Sequence, residues 1–494
     1  MIDENIRGEV SGENHTGARV AGSAGVVAKL DALVGRVRGQ VYLPDAAGYG
    51  TEREGFQTAA RHRPDVIVGA TGAEDVSAAV RFAASCGLPV AVQGTGHALL
   101  SVAGEGGVLI TTHRMSGVRV DAVAKTAWIE AGVRWEQAIE EAAPYRLAPL
   151  SGSAPTVGAI SYTLGGGLGL LSRQYGYAAD HVRSIEVVTA DGCLRHVTAE
   201  SDPDLFWALL GGRDNYGVVT GMEIDLVPVS RLWGGGLFFD GGMATDVLDA
   251  YREWTSTVPD ELTSSVGMIP FPDIEAVPEP LRGRYVVHVR IAYTDGAEAG
   301  EKLVAPLRAV GPRLIDTLVE MPFTESGSIH NEPVAPHSYS ADNAMLRDFD
   351  TSAARTILDL AGPDAPIPCV VQLRHLGGAL ARPPSAPNSV GHRDAEYLLG
   401  ILSPLEGFDI DTVRSVHQRL MEELAPLTIG RCLNYMYGEK PTAGQVRSAY
   451  EVGDYRRLTE LKVVYDPDNM FRLNHNIPPD HRVSDRMSGT EGAA

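Results

Sequence analysis

The sequence predicts an α+β protein of two units. The N-terminal unit alternates short strands with helices, and the second is a large antiparallel sheet backed by helices. Three observations predict this. At 494 residues the chain is too long for one compact core. From Pro64 to Pro228, short apolar runs alternate with stretches of helical period. After Pro228, longer runs alternate apolar and polar residues, the mark of half-buried strands.

The elements follow in order. "PDVIVGA" reads as a strand. Thr71 and Glu74 are spaced as a capping box that opens a helix through about Ser85, and Gly87 and Pro89 stop it. "LPVAVQG" is the next strand. "TAWIEAGVRW" alternates and leads into a helix near "EQAIEEAA". "SIEVVTADGCLRHVTA" is a hairpin turning at Asp191-Gly192. "SDPDLFWALLGG" is a helix capped at Ser201 or Asp202, with Pro203 in its first turn and Gly211 as its stop. "YGVVTGMEIDLVPV" closes the first unit. In the second unit, "GRYVVHVRIAYTD", "CVVQLRHLGGAL" and "RCLNYMYG" read as strands, and "ARPPSAPNSVG" as a loop. "YRRLTELKVVYDPDNMFRLNHNIPP" is a short helix, a turn and an extended end that returns to the first unit. The expected boundaries are a mobile tail over 1–28, units over 29–231 and 232–440, the return over 441–480, and a second tail over 481–494.

A net charge of −21 argues against nucleic acid or an anionic membrane as partner. Cys86, Cys193, Cys369 and Cys432 are widely spaced, which argues against a zinc site or a disulfide framework and fits a cytoplasmic chain. The acidic N-terminus has no apolar signal core, and no apolar run suggests a membrane span.

Two glycine-rich stretches carry the chemistry. "GTGHA", Gly94 to Ala98, follows a strand and offers backbone N–H groups to a ligand. A tight strand exit with a satisfied His97 is the plainer reading. "PLSGSAPTVGAISYTLGGGLGLLSRQYG", Pro149 to Gly176, is too apolar for a linker. It matches neither a Walker A loop nor a Rossmann fingerprint. A nucleotide held by another fold and close helix packing through Gly165 to Gly169 are both open, and compatible. In "LLGGRDNYGVVTGMEIDL", Asn215 and Gly217 precede a strand.

Together, "GTGH", "GSAPTVG…YTLGGGLGLLSRQYGYAADHV", "DPDLFWALLGGRDNYGVVT" and "YDPDNMFRLNHNI" resemble the berberine-bridge-enzyme-like branch of the vanillyl-alcohol-oxidase superfamily, over about residues 60 to 479. The resemblance implies a PCMH-type FAD-binding domain of two α/β subdomains. It implies that FAD is joined covalently to the histidine of the G-x-G-H loop, which is His97. A second link in this family comes from a cysteine in "G-x-C-P-T-V-G". Ala154 stands at that position, so one link is expected. Contacts to FAD are implied for Gly94, Thr95, Gly96, Ala98, Gly152, Ser153, Thr156, Gly158, Gly165, Gly166 and Gly167. Asn215, Gly217 and Val219 are implied along the adenosine, and Asn474 and Asn476 at the isoalloxazine edge.

On the substrate side, alternation puts Gln372, Arg374 and Leu376 on one strand face and Val371, Leu373 and His375 on the other. Arg374 or His375 then faces the substrate. Tyr435 and Tyr437, two apart, share a face, and the resemblance makes Tyr435 the first candidate for the proton acceptor. Ordinary sheet aromatics are the alternative. No metal is expected. The favoured reading is an FAD-linked oxidase or dehydrogenase, monomeric or homodimeric, taking a hydride from a small organic substrate: an alcohol, a sugar, an amine or a natural-product intermediate. Oxygen or another acceptor would re-oxidise it. A flavin-containing protein that sequesters an antibiotic-like ligand, or a non-redox cyclase or isomerase, is the alternative.

Overall fold

The computed structural model describes residues 24–98, 106–438 and 440–481. A helix spans Ala24–Val34, so residues 24–28, expected in the N-terminal tail, are helical. The remainder of that tail, and residues 482–494 of the second one, lie outside the described residues.

Three sheets organise the chain. The first contains β1 (Gln40–Tyr42), β2 (Val66–Gly69), β3 (Val90–Gln93) and β4 (Val108–Thr111), in the order β1-β2-β4-β3. Strands β2, β4 and β3 are parallel, and β1 is an antiparallel edge. Both faces are covered, so these strands read as unbroken apolar runs.

The second sheet contains β5 (Val118–Asp121), β6 (Thr126–Glu130), β7 (Val182–Val188), β8 (Leu194–Val197) and β9 (Val218–Asp225). Its order is β5-β6-β9-β7-β8, all antiparallel. The β7–β8 hairpin turns where expected, with Gly192 at φ +73°.

The third sheet has nine strands. They are β10 (Arg231–Asp240), β11 (Leu262–Pro270), β12 (Tyr285–Tyr293), β13 (Ile315–Asp316), β14 (Val319–Pro322), β15 (Tyr339–Leu346), β16 (Val370–His375), β17 (Tyr397–Pro404) and β18 (Thr428–Gly430). The path runs β13-β10-β12-β11-β16-β17-β15-β18, with β14 also on β10. The helices Ala244–Thr255, Ala297–Arg308, Thr351–Ala361 and Ile410–Glu423 back one face and share its apolar core. The other face fronts the cavity described below.

Local chemistry departs from the sequence reading at two places. The helix Ala73–Cys86 is not opened by a Thr71–Glu74 box. Asp75 takes the Thr71 amide at 2.9 Å and its hydroxyl at 2.8 Å, and also the amides of Arg38 and Gly39. Glu74 points outward to Arg38 at 3.0 Å. The second departure is "RCLNYMYG". It forms a turn of 3-10 helix over Leu433–Tyr435, with a lone bridge from Tyr437 to Ala341. The cause is Asn343. Its amide receives the Cys432 N–H at 2.7 Å and donates to the Cys432 carbonyl at 3.1 Å. Those groups are then lost to a strand ladder.

The helix Val452–Tyr465, longer than expected, leads the chain back to the first sheet. Lys462, fully buried, donates to Asp466 and the Asn215 carbonyl at 2.6 Å each, and to the Phe471 carbonyl. Asp466 in turn accepts the amides of Met470 and Phe471. The Met470 carbonyl accepts from Val90, the first residue of β3. Both charges of the pair are therefore fully bonded, the condition for burying them.

Candidate active site

His97 lies just past β3, in a loop held from outside. Phe56 and Gln57 donate their amides to the carbonyls of Thr95 and Gly96. Gly96 has φ +70°, and a Cβ there would lie 2.6 Å from the Gly55 Cα. Only glycine lets the two loops pass this closely. Phe56 then stacks on the His97 ring at 4.0 Å and 11°. His97 Nδ1 is 2.8 Å from the Thr95 hydroxyl, which also accepts the Gly158 amide. The Thr156 hydroxyl is 3.4 Å from Nε2, and Tyr339 donates to the His97 carbonyl. Burial, with Arg134 and His337 adding to it, pushes the His97 pKa down to about 4. The ring is neutral at pH 7 and keeps a nucleophilic nitrogen.

This ring borders a cavity of about 290 Å³. The near wall is Phe56, His97, Ala98, Gly152, Ser153, Ala154 and Tyr162. The far wall is the third sheet, where β16 presents Val370, Gln372 and Arg374 and β17 presents Leu398, Gly400 and Leu402. Gly400 faces Gln372 in register, and its missing side chain leaves open space. Asn434 and Tyr435 enter from the 3-10 turn, Tyr437 from the bridge just after it, and Arg213 from a short 3-10 turn before β9. Arg374 donates to Gln372 Oε1 at 3.2 Å and lies 3.5 Å from the Ser153 hydroxyl, which donates to Glu332 at 2.7 Å. Burial pushes the Tyr435 hydroxyl up to about 12, against the opposing pull of Arg374. Tyr437 is pushed well above its usual value, first by burial.

The structure sorts the sequence candidates. His97, Ala98, Gly152, Ser153, Arg374, Tyr435 and Tyr437 line one cavity. Gly94, Thr95, Thr156 and Gly158 stand behind it, with Thr95 and Thr156 holding the imidazole. His375 is a correction. In the alternation of β16 its side chain lies on the face opposite Gln372 and the cavity, and there Arg173 donates to its Nε2 at 2.9 Å. Burial, then Arg173, pushes its pKa down to about 3.

Gly165, Gly166 and Gly167 pack closely against protein, the packing that the sequence reading held compatible with a nucleotide. Gly166 donates to Thr163, and the carbonyls of Gly166 and Gly167 accept from Ala179 and Ala178. A Cβ on Gly165 would enter Asn434, and one on Gly167 would lie 2.7 Å from Ala178 and Tyr162. Asn215 is spent on the chain's return: it donates to the carbonyls of Gly212 and His475 and accepts from Ile477. Gly217 packs under Val188, and Val219 pairs with Val187.

Phe56, Tyr162, Arg213, Glu332, Tyr339 and Asn434 belong to the site and were not singled out from sequence. Arg213 lay inside a quoted motif, "GGRDNYG". Glu332 follows a 3-10 turn in an irregular segment with no periodicity to mark it.

The residues present fit FAD. The Oδ1 atoms of Asn474 and Asn476 are buried without a protein partner. Buried amide oxygens of this kind need a ligand to satisfy them. They lie where the returning chain meets the first sheet. Among the described residues no cluster of His, Cys, Asp or Glu is placed to hold a metal ion, and no helix is long and apolar enough to cross a membrane.

Comparison with known proteins agrees. Residues 64–198 match the family described as FAD binding domain, and residues 433–478 match "Berberine and berberine like". The chain is 28% identical over 464 residues to (R)-6-hydroxynicotine oxidase of Paenarthrobacter nicotinovorans, covering 90% of this chain and 97% of that one. The solved structure of 6-hydroxy-D-nicotine oxidase from Arthrobacter nicotinovorans superposes with a TM-score of 0.76 at 26% identity, over 90% of this chain and 98% of the other. A chitooligosaccharide oxidase shares the fold, with a TM-score of 0.78 at 20% identity over 92% of this chain and all of that one.

Proposed function

The chain belongs to the berberine-bridge-enzyme-like FAD-linked oxidoreductases, and from that premise we propose that it oxidises a small organic substrate held between His97 and β16. The observation that carries this is the shared cavity: His97 forms one wall, and Arg374, Tyr435 and Tyr437 form the other. FAD, when bound, supplies the hydride acceptor.

His97 is the proposed single attachment point. Its ring is neutral, is held by Thr95 and Thr156, and is fixed in orientation by Phe56. Ala154 lines the same cavity and carries no thiol for a second link. Asn474 and Asn476 offer their unpartnered amide oxygens to the cofactor's polar edge. Tyr435 keeps its proton at neutral pH, because burial favours the neutral phenol. Its part is then to donate a hydrogen bond or relay a proton at the substrate's hydroxyl or amine.

The relatives named above are oxidases of a hydroxynicotine and of chitooligosaccharides. An amine or alcohol carbon is therefore the centre to test. The experiment is anaerobic mixing with a substrate panel, then admission of air. Bleaching of the bound flavin by one substrate and recovery in air support an oxidase. Ligand binding without bleaching would point instead to sequestration, and product without bleaching to a redox-neutral cyclase or isomerase.

A further inference from the structure

The far wall of the cavity carries more positive charge than its neighbours neutralise. In register across the third sheet, Gly236 of β10, Arg290 of β12, Ser265 of β11 and Arg374 of β16 form one row. Arg290 is 3% exposed. Its Nε donates to His288 Nδ1 at 3.1 Å, and its Nη1 is buried without a partner. The Ser265 hydroxyl is likewise buried and unpartnered. Arg374 borders both the main cavity and a small slot that contains Ser265 and Arg290. Among the described residues, neither arginine has a carboxylate within ion-pair distance. Glu332 acts on both arginines through its charge at longer range while accepting from the Ser153 hydroxyl, and Asp342 is paired with Arg431 at 3.1 Å, so the two guanidinium groups share a single carboxylate.

A chain with a net charge of −21 has carboxylates to spare. Two guanidinium groups, Arg290 buried and Arg374 half-buried, that share one carboxylate keep an uncompensated positive charge, which is costly unless an anion arrives. Guanidinium presents parallel N–H groups that match a carboxylate bidentately.

We propose that the substrate carries a carboxylate, that Arg374 binds it at the wall of the cavity, and that Arg290 and Ser265 stand behind it as the second cation and a hydroxyl donor. This rests on the oxidoreductase reading for its location. It adds the substrate class, and it makes Arg374 the residue that selects that class.

The test uses purified holoenzyme with acetate, benzoate and phenylacetate against acetamide, benzamide and phenylacetamide. Binding is read from the perturbed flavin absorbance and, separately, from protection against thermal unfolding. At least one carboxylate is expected to bind tighter than its amide. Arg374→Gln should weaken that carboxylate by about 10- to 100-fold, the range for a charge-assisted hydrogen bond. Arg374→Lys should fall between, keeping the charge and losing the fork. Arg290→Gln should weaken it less. The proposal is overturned if no carboxylate outbinds its amide, or if Arg374→Gln or, should that variant not fold, Arg374→Lys binds it as wild type does. It is also overturned if Arg374→Gln shifts the flavin spectrum while the carboxylate preference stays, because Arg374 would then serve the cofactor. A protein that never holds flavin would sink the oxidoreductase reading, whereas the thermal readout would still report the carboxylate.

Discussion

The guanidinium carbon of Arg374 lies 5.2 Å from the ring centre of Tyr435. The pair joins a strand of the third sheet to the 3-10 turn before the chain's return, and both side chains front the cavity. The arginine pulls the phenol's pKa down, but burial outweighs it and leaves Tyr435 protonated to about pH 12. The hydroxyl is therefore a donor in the working pH range.

Tyr435→Phe removes only that hydroxyl. The variant should load FAD normally and be reduced by substrate about 100-fold more slowly or worse, the usual loss for a proton-transfer group. The remaining activity should show the wild-type pH profile between pH 6 and 10, because a phenol titrating near 12 contributes no limb there. Stopped-flow reduction measures both. A wild-type rate would make Tyr435 a packing residue and move the search to Tyr437 and Glu332.

His97→Ala should abolish covalent flavin. Wild-type protein should stay yellow after acid precipitation, and its flavin-bearing peptide should contain His97. The variant's pellet should be colourless, although its cavity can still bind FAD reversibly. A wild-type pellet that loses its colour, or a cysteinyl flavin peptide, would refute the single histidyl link.

Gly166 has φ +103°, and a Cβ there would lie 3.3 Å from Val390 and 3.5 Å from Tyr177. Gly166→Val combines a disfavoured backbone with overpacking and should cost about 1–3 kcal/mol. Because the glycine packs on protein, the loss should appear in the thermal unfolding of the apoprotein as well as the holoprotein. Loss of FAD with unchanged apoprotein stability would show that this glycine faces the cofactor after all.

The parts legible in the sequence were local. Strand β3 running into "GTGH", the Asp202–Pro203 cap and the Asp191-Gly192 turn are each decided within a few residues. Alternation along β16 separated Arg374 from His375, although it left open which faces the substrate. The far wall was not legible, because its geometry is set by register between distant strands: Gln372 opposite Gly400, Ser265 between Arg290 and Arg374. "RCLNYMYG" misled because its alternating pattern is overridden by one amide, Asn343, 89 residues away. The glycines of Gly165–Gly167 carry the same composition whether they cradle a phosphate or a neighbouring side chain. The side-chain contacts became legible only in the tertiary packing.

The last prediction concerns pH. His475 is 2% exposed, and its Nε2 donates to the Met436 carbonyl at 3.0 Å. Its own carbonyl accepts from Asn215. Burial first, and Arg213 second, push its folded pKa down to about 3, against an ordinary value near 6.5. As pH falls below 6.5, the unfolded chain takes up a proton here that the folded protein refuses. Stability therefore drops with falling pH across that window, by about 1.4 kcal/mol per pH unit for this one ring. His62, His375 and His417 share the direction, so the wild-type slope should exceed that of a single proton. His475→Gln keeps a donor for the Met436 carbonyl and removes the titration. Urea unfolding at pH 6.5, 5.5 and 4.5 should give a variant slope shallower than wild type by about 1.4 kcal/mol per pH unit. Parallel slopes would mean that His475 binds no more protons in the unfolded chain than in the fold.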